Sequence, residues 1–135
     1  MAQIYFLSVA TLIFGGMVAA SGFISRRLPS LGFLEDVWEQ RSLVIVLGVV
    51  MILIGVLKVF VRAPGDTLPV AGDLLPAAAG ILTGLVLVLG KVSAPASSDF
   101  AEPPRKTLLS YRDPIGLVAM LVGLLHFIFP AAVIL

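Results

Sequence analysis

Apolar residues fall in four long segments that are separated by shorter polar stretches. The segments run over about residues 3–25, 42–61, 74–90 and 114–135. A helix needs about 20 apolar residues to cross the hydrocarbon core of a bilayer, and each segment comes near that length. Lipid offers the backbone no hydrogen-bond partner, so each segment is expected to be helical. The pattern predicts an all-α integral membrane protein, a four-transmembrane-helix bundle that forms a single membrane domain over residues 1–135.

The polar stretches between the segments differ in character. In residues 31–40, Leu34 and Trp38 fall on one helical face, whereas Glu35 and Asp36 fall on the other. This alternation predicts an amphipathic helix in the membrane interface, with Trp38 at headgroup depth, serving as a connector or as a docking surface for a partner. Residues 93–107 are small, polar and rich in proline, which is typical of a linker.

Composition limits the function classes. The chain is 59% hydrophobic and 13% charged, with a mean hydropathy of +1.12, whereas soluble domains are about half apolar and a quarter charged. A net charge of +1 excludes the strongly basic surface of a nucleic-acid binder. The absence of cysteine excludes disulfides, thiolate metal sites and cysteine nucleophiles. The sequence also lacks the clusters and motifs of a metal or catalytic site, so we expect no enzyme activity.

The basic residues are unevenly distributed among the loops, and cytoplasmic loops of membrane proteins carry an excess of Lys and Arg. The second loop holds Arg62, with Lys58 close by, and the other two loops hold more. This predicts a multi-pass protein of the bacterial inner membrane with both termini outside and loops 1 and 3 in the cytoplasm. The residues placed on the cytoplasmic side are the interfacial pair Arg26 and Arg27, together with Arg41, Lys91, Arg105, Lys106 and Arg112.

An internal repeat is visible when the chain is compared with itself at a shift of 68 residues, the separation of Lys58 and His126. The shift superposes four glycines without a gap and predicts a duplication of residues 1–67 as residues 68–135. Each repeat would hold two spans, so the copies would be parallel, with an axis along the membrane normal. The superposed pairs are Gly16 with Gly84, Gly22 with Gly90, Gly48 with Gly116 and Gly55 with Gly123.

Small residues recur at helical spacing in the predicted spans. Helices associate in lipid through close packing, which small side chains permit. We therefore expect these positions to form helix contacts, within the chain or with a neighbour. The residues are Gly15, Ala19, Gly48, Gly55, Gly80, Gly84, Gly116 and Gly123.

Two ionisable residues lie within the predicted spans, where such groups are costly and mark candidate functional sites. His126 falls well inside the fourth span, and Lys58 occupies the equivalent place in the first repeat. The structural interpretation is a neutral imidazole bonded to a neighbouring helix and a lysine that extends to the headgroups. The functional interpretation is a polar site for an anionic lipid or a quinone headgroup, with Asp73 or Asp66 closing over it.

Two short strings resemble stretches of DoxX-like four-helix membrane proteins. They are Gly-Val-Leu-Lys-Val-Phe at residues 55–60 and Gly-Leu-Leu-His-Phe-Ile-Phe-Pro at residues 123–130. The resemblance covers only these strings and implies no function.

The predicted function is that of a small non-catalytic subunit that packs within or stabilises a larger membrane protein complex. Little mass lies outside the predicted spans, so lipids and other membrane subunits, or a second copy, are the expected partners. An alternative is a small homo-oligomeric transporter or channel for an anion or a lipid, lined by Lys58 and His126. A third is a quinone- or haem-associated redox subunit centred on His126. No cofactor is expected beyond a bound lipid or quinone.

Overall fold

The structure is a computed structural model that describes residues 2–60, 71–92 and 102–129, with side chains from residues 74 and 104 onward in the last two ranges. Arg62, Asp66, the side chain of Asp73, most of the linker predicted over residues 93–107 and the end of the fourth predicted span lie outside the described part. Their predicted roles stay predictions.

The described residues form helices and contain no strand. A 3₁₀ turn at Pro29–Leu31 lies between the second and third α-helices, in the stretch that connects the first two long helices. The α-helices are α1 (Ala2–Ala19), α2 (Ser21–Arg27), α3 (Phe33–Glu39), α4 (Arg41–Phe60), α5 (Ala71–Lys91), α6 (Glu102–Ser110) and α7 (Arg112–Ile128).

Three helices are long and apolar enough to cross a membrane. They are α1, α4 and the Leu74–Lys91 part of α5. A fourth crossing results if α6 and α7, which meet at a 60° bend, together form one broken span. The bend has a local cause: Pro114 has no N–H to donate to the carbonyl of Ser110, and its ring clashes with that carbonyl in a continuous helix. The protein is therefore an all-helical membrane protein with three to four candidate spans.

The long helices pack together around a filled interior. α4 packs most extensively against α5, and α1 against α7, while α1 also contacts α4 and α5. The interior between them is filled by fully buried side chains, including Leu12, Val18, Val44, Met51 and Leu87. Large apolar residues such as Leu53, Phe60 and Leu121 are exposed on the outer faces. Such an outer surface is suited to lipid contact.

Glycines bring the backbones of the long helices into direct contact. A Cβ atom built on Gly116 of α7 would lie 2.5 Å from the carbonyl oxygen of Gly16 on α1. A Cβ atom on Gly84 of α5 would lie 2.6 Å from the carbonyl oxygen of Gly48 on α4. No side chain fits at these positions, so each helix pair approaches as closely as two helical backbones can.

The other small residues selected from the sequence also face neighbouring helices of the same chain. Gly15 lies under the side chain of Met51, and Ala19 is fully buried. Gly55 faces Ala77 and Ile81, Gly123 faces Leu12 and Ile13, and Gly80 lies at ordinary contact distance from Met51 and Leu12. These residues are therefore engaged inside the molecule.

Candidate functional site

Lys58 and His126 lie side by side at one end of the molecule. Lys58 is in the last turn of α4 and His126 in the last turn of α7. Lys58 Nζ lies 3.4 Å from His126 Nε2. A cation in the last turn of a helix is favoured by the partial negative charge of the free carbonyls there. Two residues 68 positions apart in the sequence are thus brought into one polar site.

The imidazole of His126 is almost completely enclosed, with 3% of the residue exposed. Tyr5, near the start of α1, donates its hydroxyl to the backbone carbonyl of His126 over 2.6 Å. The two rings are inclined, with centroids 5.0 Å apart. Three helices therefore position the site: α7 supplies the imidazole, α4 the ammonium group, and α1 the ring that covers the histidine.

Tyr5 was missed in the sequence analysis. The usable signal was the 68-residue shift, which superposes Tyr5 on Asp73, so both halves of the sequence carry a polar residue at the same place. The side chain of Asp73 lies outside the described part of the structure.

The chemistry of the pair is set by its donors and acceptors. A lysine ammonium group has only donors, so it can bond to His126 Nε2 only when that nitrogen carries no proton. The neutral ring then carries its proton on Nδ1. The site thus places a half-buried lysine beside a buried imidazole. Such a pair can bind an anionic or hydrogen-bonding group.

No group of three or more His, Cys, Asp or Glu side chains that could hold a metal ion occurs within residues 2–60, 74–92 and 104–129.

A second polar cluster lies at the opposite end, around Trp38 of α3. Trp38 lies between two cations, with Lys91 Nζ 4.5 Å and Arg112 Cζ 4.2 Å from the ring centre. Its ring covers Gly90, where a Cβ atom would lie 2.7 Å from Trp38 Cη2. Trp38 therefore packs against the ends of α5 and α7.

The predicted interfacial pair Arg26 and Arg27 lies at the same end, in the last turn of α2. Arg26 lies 3.5 Å from a carboxylate oxygen of Asp113, which also neighbours Arg112 at 3.6 Å. Arg27 stacks over Phe23 with 5.4 Å between the guanidinium carbon and the ring centre. The charges of this end thus link α2 to the start of α7.

Comparison with known proteins places the chain in a family. A protein-family model matches residues 1–126, and the chain belongs to that family. No curated protein and no solved structure matches the chain. The matched range includes Tyr5, Lys58 and His126.

Proposed function

We propose that the chain forms a four-helix membrane bundle from two parallel repeats, in a bacterial inner membrane with both termini outside. The contacts between helices support the repeat. Gly16 contacts Gly116, and Gly48 contacts Gly84. The 68-residue shift superposes Gly16 on Gly84 and Gly48 on Gly116, so each of these two backbone contacts is the equivalent of the other.

A second pair of contacts follows the same rule. Gly123 faces Ile13, and Gly55 faces Ile81, so these contacts are also related by the shift. A duplication that preserves an axis of symmetry accounts for both exchanges, because equivalent residues then have equivalent surroundings.

The Lys58 and His126 pair would then lie on the symmetry axis. The two residues occupy equivalent positions, and equivalent positions can touch only close to the axis that relates them. At this place the repeats differ, because one contributes a cation and the other an imidazole. A duplicated bundle would thus have one asymmetric polar site at the end where α4 and α7 terminate.

The function we propose is recognition of an anionic group at this site, as a small transporter of an anion or of a lipid would require. The observation that carries the proposal is the 3.4 Å approach of Lys58 Nζ to the enclosed imidazole of His126. Beyond the site, Leu12, Met51 and Leu87 fill the interior. This filling favours binding at the site over conduction through an open pore within one bundle.

The binding test uses native mass spectrometry of the purified protein. Wild type is expected to retain phosphatidylglycerol in preference to phosphatidylcholine. Lys58→Ala should weaken retention about tenfold or more, because a charge-assisted hydrogen bond contributes about 1.5–3 kcal/mol. Inorganic phosphate distinguishes the ligand sources: competition by phosphate indicates a site for free anions, and no competition indicates a lipid headgroup site.

The matched control is Lys91→Ala, which removes a lysine from the opposite end of the molecule. It should retain the lipid as wild type does. Equal effects of Lys58→Ala and Lys91→Ala would contradict the proposal, because they would indicate general attraction between lipids and basic residues. His126→Ala should weaken retention as well. Transport into liposomes by the protein alone, lost in both site variants, would identify a transporter.

A second candidate is the small non-catalytic subunit of a larger membrane complex. It is favoured by a row of exposed apolar residues on one face of α4, which could pack against another protein. Small-residue stripes do not add to this argument, because their glycines face helices of the same chain.

If this candidate is correct, gentle purification from the native membrane should recover larger subunits in fixed ratio with this chain. Recovery of this chain alone would contradict the candidate. The exposed row on α4 that this candidate would bury against another subunit is Val46, Val49, Leu53, Val56 and Phe60.

A further inference from the structure

A groove lies between α5, α6 and α7, away from the Lys58 and His126 site. Its volume is about 600 Å³, within the range of small-molecule sites. The side chains that line it in the described part of the chain include no charged group. Leu82, Tyr111 and Val118 line it and are also exposed on the outer surface, so the groove opens sideways toward the space that lipid would occupy.

The helix α6, which meets α7 at the 60° bend, forms one wall of this groove through Pro104, Thr107 and Leu108. Arg105 holds that wall in place, since its guanidinium group donates to the carbonyl oxygens of Leu89 and Val92 at the end of α5. The groove is therefore a built feature of the fold, supported by a side chain that ties α6 to α5.

One buried polar side chain lines the groove at its inner end. Thr83 of α5 is 0% exposed, and its hydroxyl has no hydrogen-bond partner among the described residues. A buried hydroxyl without a partner is unfavourable, and the few that occur call for an explanation. Ala119 of α7 also lines the groove, and its small side chain takes up little of the space there.

In the first half of the molecule, a long side chain occupies the corresponding place. The 68-residue shift superposes Thr83 on Gly15 and Ala119 on Met51. Met51 is buried and its side chain lies directly over Gly15. The Met51 side chain thus fills a space in the first half of the chain. In the second half, Thr83 and Ala119 border the corresponding space.

We propose that this groove binds a neutral, elongated apolar molecule from the bilayer that carries one hydroxyl or ketone oxygen, and that this oxygen bonds to Thr83 Oγ1. A plain hydrocarbon chain would leave the hydroxyl without a partner. An ionised head group would find no opposite charge among the lining residues that the structure describes. The inference rests on Thr83 and the groove alone and does not depend on the Lys58 and His126 site.

Two photoreactive probes test the proposal on the full chain in phosphatidylcholine liposomes. One is hexadecanol with a diazirine on its chain, and the other is hexadecane with the same diazirine and no oxygen. Hexadecanol is expected to label peptides of α5 and α7 about fivefold more than hexadecane, the ratio that one neutral hydrogen bond supplies. Peptide mass spectrometry locates the label.

Thr83→Val removes the hydroxyl at nearly constant shape. It should abolish the preference for hexadecanol while hexadecane labelling persists. Ala119→Met places in the groove the residue found at the equivalent position of the other half, and it should reduce labelling by both probes. Leu121→Met is its control, because Leu121 is exposed on the outside of α7 and does not line the groove.

Equal labelling by the two probes in wild type would overturn the proposal and indicate a groove for lipid chains only. So would a preference that survives Thr83→Val, or labelling that Ala119→Met leaves unchanged in protein that elutes as wild type does. If Ala119→Met fails to fold, the probe ratio in Thr83→Val still decides the outcome.

Discussion

At the scale of single residues, the molecule depends on the absence of side chains at a few positions. Gly16 and Gly116 let α1 and α7 meet backbone to backbone, and Gly48 and Gly84 do the same for α4 and α5. Lipid supplies no hydrophobic driving force between helices, so close contact must supply the association energy. These glycines therefore contribute to the stability of the protein by allowing the close helix contacts.

Gly116→Ala should lower the free energy of unfolding by about 2 kcal/mol, within the range typical of overpacked interiors. The added Cβ would lie 2.5 Å from the Gly16 carbonyl oxygen and 2.7 Å from the Ala20 nitrogen, and both are backbone atoms that cannot turn aside. Thermal unfolding in detergent, followed by circular dichroism, measures the effect.

Gly80→Ala is the matched control, because its Cβ would lie no closer than 3.6 Å to any neighbour. It should be neutral or stabilise by up to about 1 kcal/mol, the difference in helix propensity between alanine and glycine. Equal destabilisation by both variants would show that the glycines act through backbone flexibility and that close contact is unimportant.

At the scale of elements, the short helix α3 ties the connection between α1 and α4 to the rest of the molecule. Leu34 is fully buried, and Trp38 lies over Gly90 between the cations of Lys91 and Arg112. Phe33, at the start of α3, is half exposed. One face of α3 thus packs inward at its Leu34 and Trp38 positions, while Phe33 is left outside.

Trp38→Ala should destabilise the protein by about 3 kcal/mol, the lower end of the range for removing a large aromatic side chain from a packed site. The change also removes both cation contacts of the ring. Phe33→Ala, on the same helix, should change stability by about 0.5 kcal/mol or less, as is usual for exposed positions. Unfolding curves of the two variants test this contrast, and similar losses in both would contradict the assigned orientation of α3.

At the scale of the whole molecule, the helical membrane class was predictable and the special sites were less so. The apolar runs identify α1, α4 and α5 because lipid demands long helices. The break at Ala20 carries no proline or glycine at the break itself and could not be foreseen. The contact of Lys58 with His126 was only an alternative prediction from the proposed repeat, since a repeat relates positions in the sequence without giving the distance between them.

The groove beside Thr83 was beyond sequence reasoning for a related reason. A repeat predicts equal packing in both halves, whereas the exchange of Met51 for Ala119 at one equivalent position changes the enclosed volume. That change becomes visible only when the neighbours of both residues are known. Local differences in side-chain volume therefore determine where this candidate binding site forms.

The orientation proposed for the chain gives a last prediction, and the lack of native cysteine makes it simple to test. Single cysteines replace three exposed residues: Gln3 near the start of α1, Ser30 between α2 and α3, and Ser110 at the end of α6. If the repeats are parallel with both termini outside, a membrane-impermeant maleimide added to whole cells should label Gln3→Cys only.

Inside-out vesicles should reverse the pattern, with Ser30→Cys and Ser110→Cys labelled and Gln3→Cys protected. Labelling of all three after detergent solubilisation is the control for reactivity. The two loop positions must behave alike, because α4, α5 and the return through the second loop separate them by two crossings in the proposed topology. Labelling of Ser30→Cys and Ser110→Cys from opposite sides would rule out two parallel repeats. Labelling of both from outside would keep the parallel repeats and show that the orientation in the membrane is the reverse of the one proposed.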